Sequence, residues 1–98
     1  HVLLVEDADV GGGVRAGEAG GRIRVLGTRI DGNVQVVENR RGPYLIQNNN
    51  IREDLQFFKN RGSGSIIGNR VGGNLQSKEN SPNPVVRRNI VEGSLEVE

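Results

Sequence analysis

Three phrases recur along this chain of 98 residues, and their spacing constrains the fold more than any other feature. They are Gly32-Asn33-Val34-Gln35-Val36-Val37-Glu38-Asn39, Asp54-Leu55-Gln56-Phe57-Phe58-Lys59-Asn60 and Gly73-Asn74-Leu75-Gln76-Ser77-Lys78-Glu79-Asn80. The leading aliphatics at 34, 55 and 75 are 21 and 20 residues apart, a period at which each unit is one element of a stacked array rather than a globule. Extended both ways, the lead column becomes Val14, Val34, Leu55, Leu75 and Leu95. Four residues earlier runs Val10, Ile30, Ile51, Val71 and Val91, and a third column is Val5, Val25, Ile46, Ile66 and Val86. With only 34% of the residues apolar, aliphatics at all fifteen of these positions are not a chance alignment. Repeats therefore cover the chain from about Val2 to Glu98, as a single domain over residues 1–98.

Polar columns repeat with the same period. Asn39, Asn60 and Asn80 follow the lead by five residues, and Asn49, Asn69 and Asn89 precede the Ile/Val column by two. Asn tolerates left-handed backbone and its amides hydrogen-bond when stacked, so these ladders are expected at corners. The position after the lead reads Arg15, Gln35, Gln56, Gln76 and Glu96, uniformly polar. The alternation in Val34-Gln35-Val36 has the period of a strand with one buried face. Two residues after the lead stand Ala16, Val36, Phe57, Ser77 and Val97; Phe57 is the one large filler, and Ala16 and Ser77 mark places where the bore narrows.

Leucine-rich repeats share the Leu-x-Leu-x-x-Asn core and this repeat length. They require an aliphatic three residues before the lead, where this chain has Gly11, Asp31, Arg52, Gly72 and Glu92, and another two residues after the Asn, where Arg41, Gly62 and Pro82 stand. The connecting half has turn formers such as Arg61-Gly62-Ser63-Gly64 and Ser81-Pro82-Asn83-Pro84 in place of helical periodicity. A left-handed hexapeptide helix needs an aliphatic every sixth residue, which the unequal inward spacings here do not supply. The remaining expectation is all-β: a right-handed parallel β-helix, or β-solenoid, of about five coils of 20 or 21 residues.

The Gly-Asn-Leu-Gln and Gly-Asn-Val-Gln phrases, each followed by Asn and a Gly/Pro turn, resemble the parallel β-helix repeats of secreted and cell-surface bacterial proteins. Their architecture is similar to that of the pectate-lyase-like superfamily. That resemblance implies an extracellular or cell-surface location, and it brings in polysaccharide lyases and hydrolases as the enzymatic alternative. Such enzymes need acids gathered for calcium or for acid/base work. Of the four Asp here, Asp7, Asp9, Asp31 and Asp54, the register places Asp9 with Arg29 and Asn50 and Asp31 with Arg52, so these acids stack on Arg rather than on acids.

The remaining chemistry is sparse. With no Cys and one His, His1, the chain offers neither a Cys-ligated metal nor a nucleophile and base, so no catalytic residue, metal ligand or cofactor is expected. Gly11-Gly12-Gly13 lacks the Lys-Ser/Thr ending of a phosphate loop, and a single Thr, Thr28, excludes the flat Thr ranks of ice binding. Eleven Arg and two Lys are scattered among twelve acids for a net charge of +1, and Tyr44, Phe57 and Phe58 are the only rings, which disfavours nucleic acid. The run Val2–Val5 is far below the ~18 apolar residues of a membrane span. The column Glu38, Lys59, Glu79, preceded by Glu18, alternates in sign and is expected to hold neighbouring coils in register.

Both ends carry repeat sequence with no polar cap: Val2–Val5 at one, Ser94-Leu95-Glu96-Val97-Glu98 at the other. Exposed strand edges of a solenoid are sticky. The expectation is a non-catalytic structural or interaction module that self-associates through its ends or continues a longer solenoid, with a glycan or protein as a possible partner at the Arg15/Gln35/Gln56/Gln76/Glu96 column.

Overall fold

A computed structural model describes residues 2–17 and 22–97, and it is all-β. Fifteen strands, numbered in chain order, form three parallel sheets of five. The first sheet is β1 (Val2–Glu6), β4 (Arg22–Leu26), β7 (Tyr44–Gln47), β10 (Gly64–Ile67) and β13 (Val85–Arg87). The second holds two-residue strands: β2 (Asp9–Val10), β5 (Arg29–Ile30), β8 (Asn50–Ile51), β11 (Arg70–Val71) and β14 (Ile90–Val91). The third is β3 (Val14–Gly17), β6 (Val34–Val37), β9 (Leu55–Phe58), β12 (Leu75–Lys78) and β15 (Leu95–Val97). Every sheet takes one strand from each successive repeat, so the chain is a β-solenoid of stacked parallel coils. Each sheet is five rungs deep, and its first and last rungs are about four turns apart, which is how the expected five coils are realised. No helix occurs among the described residues, so the leucine-rich alternative is not the architecture.

Strand pairing follows the sequence columns residue for residue. Val5 lies beside Val25, Val25 beside Ile46, Ile46 beside Ile66 and Ile66 beside Val86. Val34 lies beside Leu55 and Leu55 beside Leu75. In the middle rungs Val25, Ile46, Ile66, Ile30, Ile51, Val71, Val34, Leu55 and Leu75 are all completely buried. Val5, Val10, Val86 and Val91 pack against this core from the two ends, and Val14 is nearly buried. Leu95 departs from the expected burial: it is in register with Leu75, but in the last described rung it is 55% exposed.

The core holds two rings rather than one. Tyr44 is as buried as Phe57, the rings meet edge to face with centroids 5.6 Å apart, and the phenol O–H donates to the Arg61 carbonyl at 2.7 Å. Burial pushes the Tyr44 phenol above its ordinary range, and the backbone of Arg41 opposes that shift. Space for the Phe57 ring comes from Gly64 and for the Tyr44 ring from Gly42, where an added Cβ would in each case lie 3.1 Å from the ring. Ser77, in the same column as Phe57, is fully buried.

Candidate functional site: polar ladders and end rungs

Both expected Asn ladders form; Asn39, Asn49, Asn60 and Asn69 are buried, and Asn80 and Asn89 are half-buried. Asn69 Oδ1 accepts the backbone N–H of Asn49 at 3.1 Å and its side-chain amide at 2.9 Å, while Asn69 Nδ2 donates to the Ile46 carbonyl at 2.8 Å and to Asn89 Oδ1 at 3.0 Å. Asn60 repeats the pattern between Asn39 and Asn80. Thr28 starts the Asn49 ladder, giving its backbone N–H to Asn49 Oδ1 at 3.0 Å. Each amide thus satisfies a corner N–H of the preceding coil that no strand reaches, as buried polar groups require.

One correction concerns which residue makes the turn. The ladder residues are not left-handed; the residues just before them are, at φ 59° in Glu38, 55° in Lys59, 57° in Glu79, 57° in Asn48 and 55° in Arg88. The backbone turns at the exposed residue and thereby aims the next side chain inward. Asn in these ladders is selected for its amide, whereas left-handed tolerance matters one position earlier.

A third corner ladder was not legible as such. Asn33 Oδ1 accepts from Asp54 N–H at 3.0 Å, Asp54 Oδ1 from Asn74 N–H at 2.8 Å, and Asn74 Oδ1 from Ser94 N–H at 2.8 Å. Its direction is opposite to the other two, since here the later coil donates. The signal lay in the Gly-Asn phrases, where Asp54 interrupts the Asn pattern with an equivalent acceptor.

The proposed surface column is a ladder as well. Gln35 Nε2 donates to Gln56 Oε1 at 2.9 Å, Gln56 to Gln76 at 3.2 Å and Gln76 to Glu96 at 3.1 Å, while Lys78 Nζ sits 3.2 Å from Glu96. The bond from Gln76 foremost, and Lys78 next, holds the Glu96 carboxyl below its ordinary range. Charged neighbours behave as expected in part: Lys59 and Glu79 approach to 3.9 Å, whereas Glu18 lies outside the described residues. Asp9 is beside Arg29 and Arg29 beside Asn50, with Arg29 also 3.8 Å from Asp31 in its own coil. Among the described residues no three His, Cys, Asp or Glu side chains converge. An open polar groove of about 1050 Å³ follows one corner between Glu38, Arg40, Lys59, Arg61, Glu79 and Ser81.

At the last rung the inward columns surface: Leu95 is 55% and Val97 45% exposed, where Leu75 and Ser77 directly below are fully buried. At the first rung Val14 and Ala16 are 9% and 7% exposed. Among the described residues the exposed large apolar side chains are Leu4, at 54%, in the first rung and Val85, Ile90, Leu95 and Val97 in the last. Comparison of the chain with family models, with curated proteins and with solved structures finds no match.

Proposed function

We propose that this β-solenoid is a non-catalytic structural or interaction module whose end rungs are covered, by self-association or by continuation of a longer solenoid. The observation that carries this reading is the exposure of Leu95 and Val97 in columns whose lower members are fully buried. Such residues gain roughly 25 cal/mol for each Å² removed from water, and a second solenoid end offers a matching surface. The lateral surface supports the same reading, because the Gln column and the charged columns are occupied with one another rather than aimed at a common point. The architecture resembles that of the pectate-lyase-like superfamily, and with it goes the proposal of a secreted or cell-surface protein of bacterial type. Light scattering over a concentration series tests the association: mass rising with concentration supports it, and an invariant monomer into the millimolar range overturns it.

A second reading is favoured by the corner groove, whose Arg40, Lys59 and Arg61 alternate with Glu38 and Glu79 over three coils. Weak contact with a glycan or a protein strand would use that face. A glycan array read alongside Arg40→Ala and Arg61→Ala variants tests it, and binding unaffected by either variant removes the groove from consideration.

A further inference from the structure

We infer that the corner groove binds a glycan through a tetrahedral oxyanion ester, sulfate or phosphate, held between the stacked guanidinium groups of Arg40 and Arg61. This rests on the second reading above and adds the ligand class and the residues that recognise it. Arg40 and Arg61 are in register: the Arg61 N–H reaches the Asn39 carbonyl at 2.9 Å, and Arg61 pairs in turn with Ser81. The column therefore presents two guanidiniums and a hydroxyl, one for each coil, at a step of about 4.8 Å. It follows β6, β9 and β12, inside the stack, and does not depend on what covers the end rungs.

Charge singles this column out. Elsewhere a base stands next to an acid or an uncharged residue in its column: Arg29 between Asp9 and Asn50, Arg52 between Asp31 and Gly72, Lys59 between Glu38 and Glu79. Among the described residues Arg40 and Arg61 are the one pair of like charges on adjacent coils of a column, and neither makes an ion pair. Like charges directly opposite one another on adjacent strands are destabilising, and an anion between them removes that cost. Lys59 and Glu79 in the same groove are 3.9 Å apart and offset each other, which leaves two exposed guanidiniums against Glu38 alone.

The anion and its carrier follow from the same geometry. One guanidinium fork saturates the two oxygens of a carboxylate, whereas a sulfate or phosphate ester offers three and is shared by two forks. The backbone beneath is anchored, since the Arg61 carbonyl accepts the Tyr44 O–H at 2.7 Å while its N–H is held by Asn39. A peptide strand finds no partners here, because the corner N–H groups are spent between coils: Asn39 on Asn60 Oδ1, Asn60 on Asn80 Oδ1, and Ser81 on the Asn60 carbonyl. Nor does the groove offer a recess for a peptide side chain, as none of its lining residues is apolar. A glycan, recognised by its charge and hydroxyls, fits such a surface.

A series of dextrans on one backbone tests this: unmodified, carboxymethylated, sulfated and phosphorylated, with the charged forms at matched substitution, measured by biolayer interferometry at physiological salt. At least one ester form is expected to bind about tenfold tighter than the carboxymethyl form, and Arg40→Ala and Arg61→Ala each to weaken it by about tenfold. Arg24→Ala and Arg52→Ala remove the same charge from other exposed positions and should change affinity by less than about twofold. Arg61→Glu gives Arg40 an opposite neighbour; it should abolish binding while leaving the urea unfolding midpoint unchanged or raised, and a lowered midpoint overturns the like-charge argument. Equal affinity for carboxymethyl dextran, still dependent on Arg40 and Arg61, overturns the ester assignment and leaves the groove reading standing. No binding to any charged dextran, or equal weakening by Arg24→Ala or Arg52→Ala, overturns the inference. Binding indifferent to both groove variants overturns the inference and the groove reading together.

Discussion

Replacing Asn69 by alanine tests whether the buried amide ladders hold the coils together. Asn69 is 1% exposed, and its side chain makes four hydrogen bonds: two accepted from Asn49, one given to the Ile46 carbonyl and one to Asn89. Truncation leaves the Asn49 backbone N–H and one Asn49 amide hydrogen without an acceptor, at a site only 3% exposed where water does not replace the lost oxygen. Two buried donors at ~1–3 kcal/mol each give a loss of roughly 2–6 kcal/mol. A domain of this size is stable by only about 5–15 kcal/mol, so the variant is marginal. With a urea m value on the order of 1.5 kcal/mol/M, a loss of about 3 kcal/mol lowers the unfolding midpoint by roughly 2 M. Equilibrium urea unfolding followed by far-UV circular dichroism measures this, with Gln56→Ala as the exposed-ladder control, expected within about 1 kcal/mol of the parent. Asn69→Asp keeps the acceptor but loses the donors and buries a charge, so it is expected to be no better than alanine. Equal midpoints for Asn69→Ala and Gln56→Ala would refute the reasoning, because the interior ladder would then contribute no more than the surface one.

Other consequences are sharp enough to measure. Gly62 has φ 121°, and a Cβ there would fall on the Arg41 carbonyl of the preceding coil, whereas Gly11 has open space around it; Gly62→Ala should cost about 3 kcal/mol or more and Gly11→Ala under ~0.5 kcal/mol in the same urea assay, and similar costs would contradict the coil contact. Leu55→Asp buries a charge at a fully buried position and should abolish the β-sheet dichroism at neutral pH, while Leu55→Ala should cost about 2–5 kcal/mol; a folded Leu55→Asp variant would overturn the inward assignment. The Glu96 carboxyl is held below its ordinary range in the fold, so the stability it adds is present above the unfolded carboxylate value and is lost as pH falls through the folded value. An NMR titration should find that low value and should find it raised in Gln76→Ala; a titration unchanged by that substitution would contradict the ladder's role.

The fold was legible because a solenoid writes its contacts as a period. Val25, Ile46 and Ile66 are 21 and 20 residues apart in sequence and adjacent in space, so one column of letters is one ladder of contacts. What the period did not carry was anything settled within a single coil. Tyr44 shares its column with Ile23 and Gly64, and that variation hid a core ring, whose edge-to-face partner Phe57 fills the space beside Gly64. The left-handed positions were hidden for a related reason. Glu38, Lys59 and Glu79 look like a charge column, yet each makes the left-handed turn that aims the following Asn inward. The surface column was legible as polar and periodic, but its amides are largely spent on each other, which only the side-chain geometry could reveal.

Tyr44 and Phe57 also give an otherwise repetitive chain a frame of reference. A polypeptide whose coils were identical could pair any coil with any other, offset by one full repeat, with every aliphatic still facing inward. Here such an offset would set the Tyr44 and Phe57 rings among neighbours that lack the vacancy left by Gly64. The few irregular side chains of the bore thus serve as an index mark, selecting one alignment from several that the repeats alone would leave nearly equal in energy.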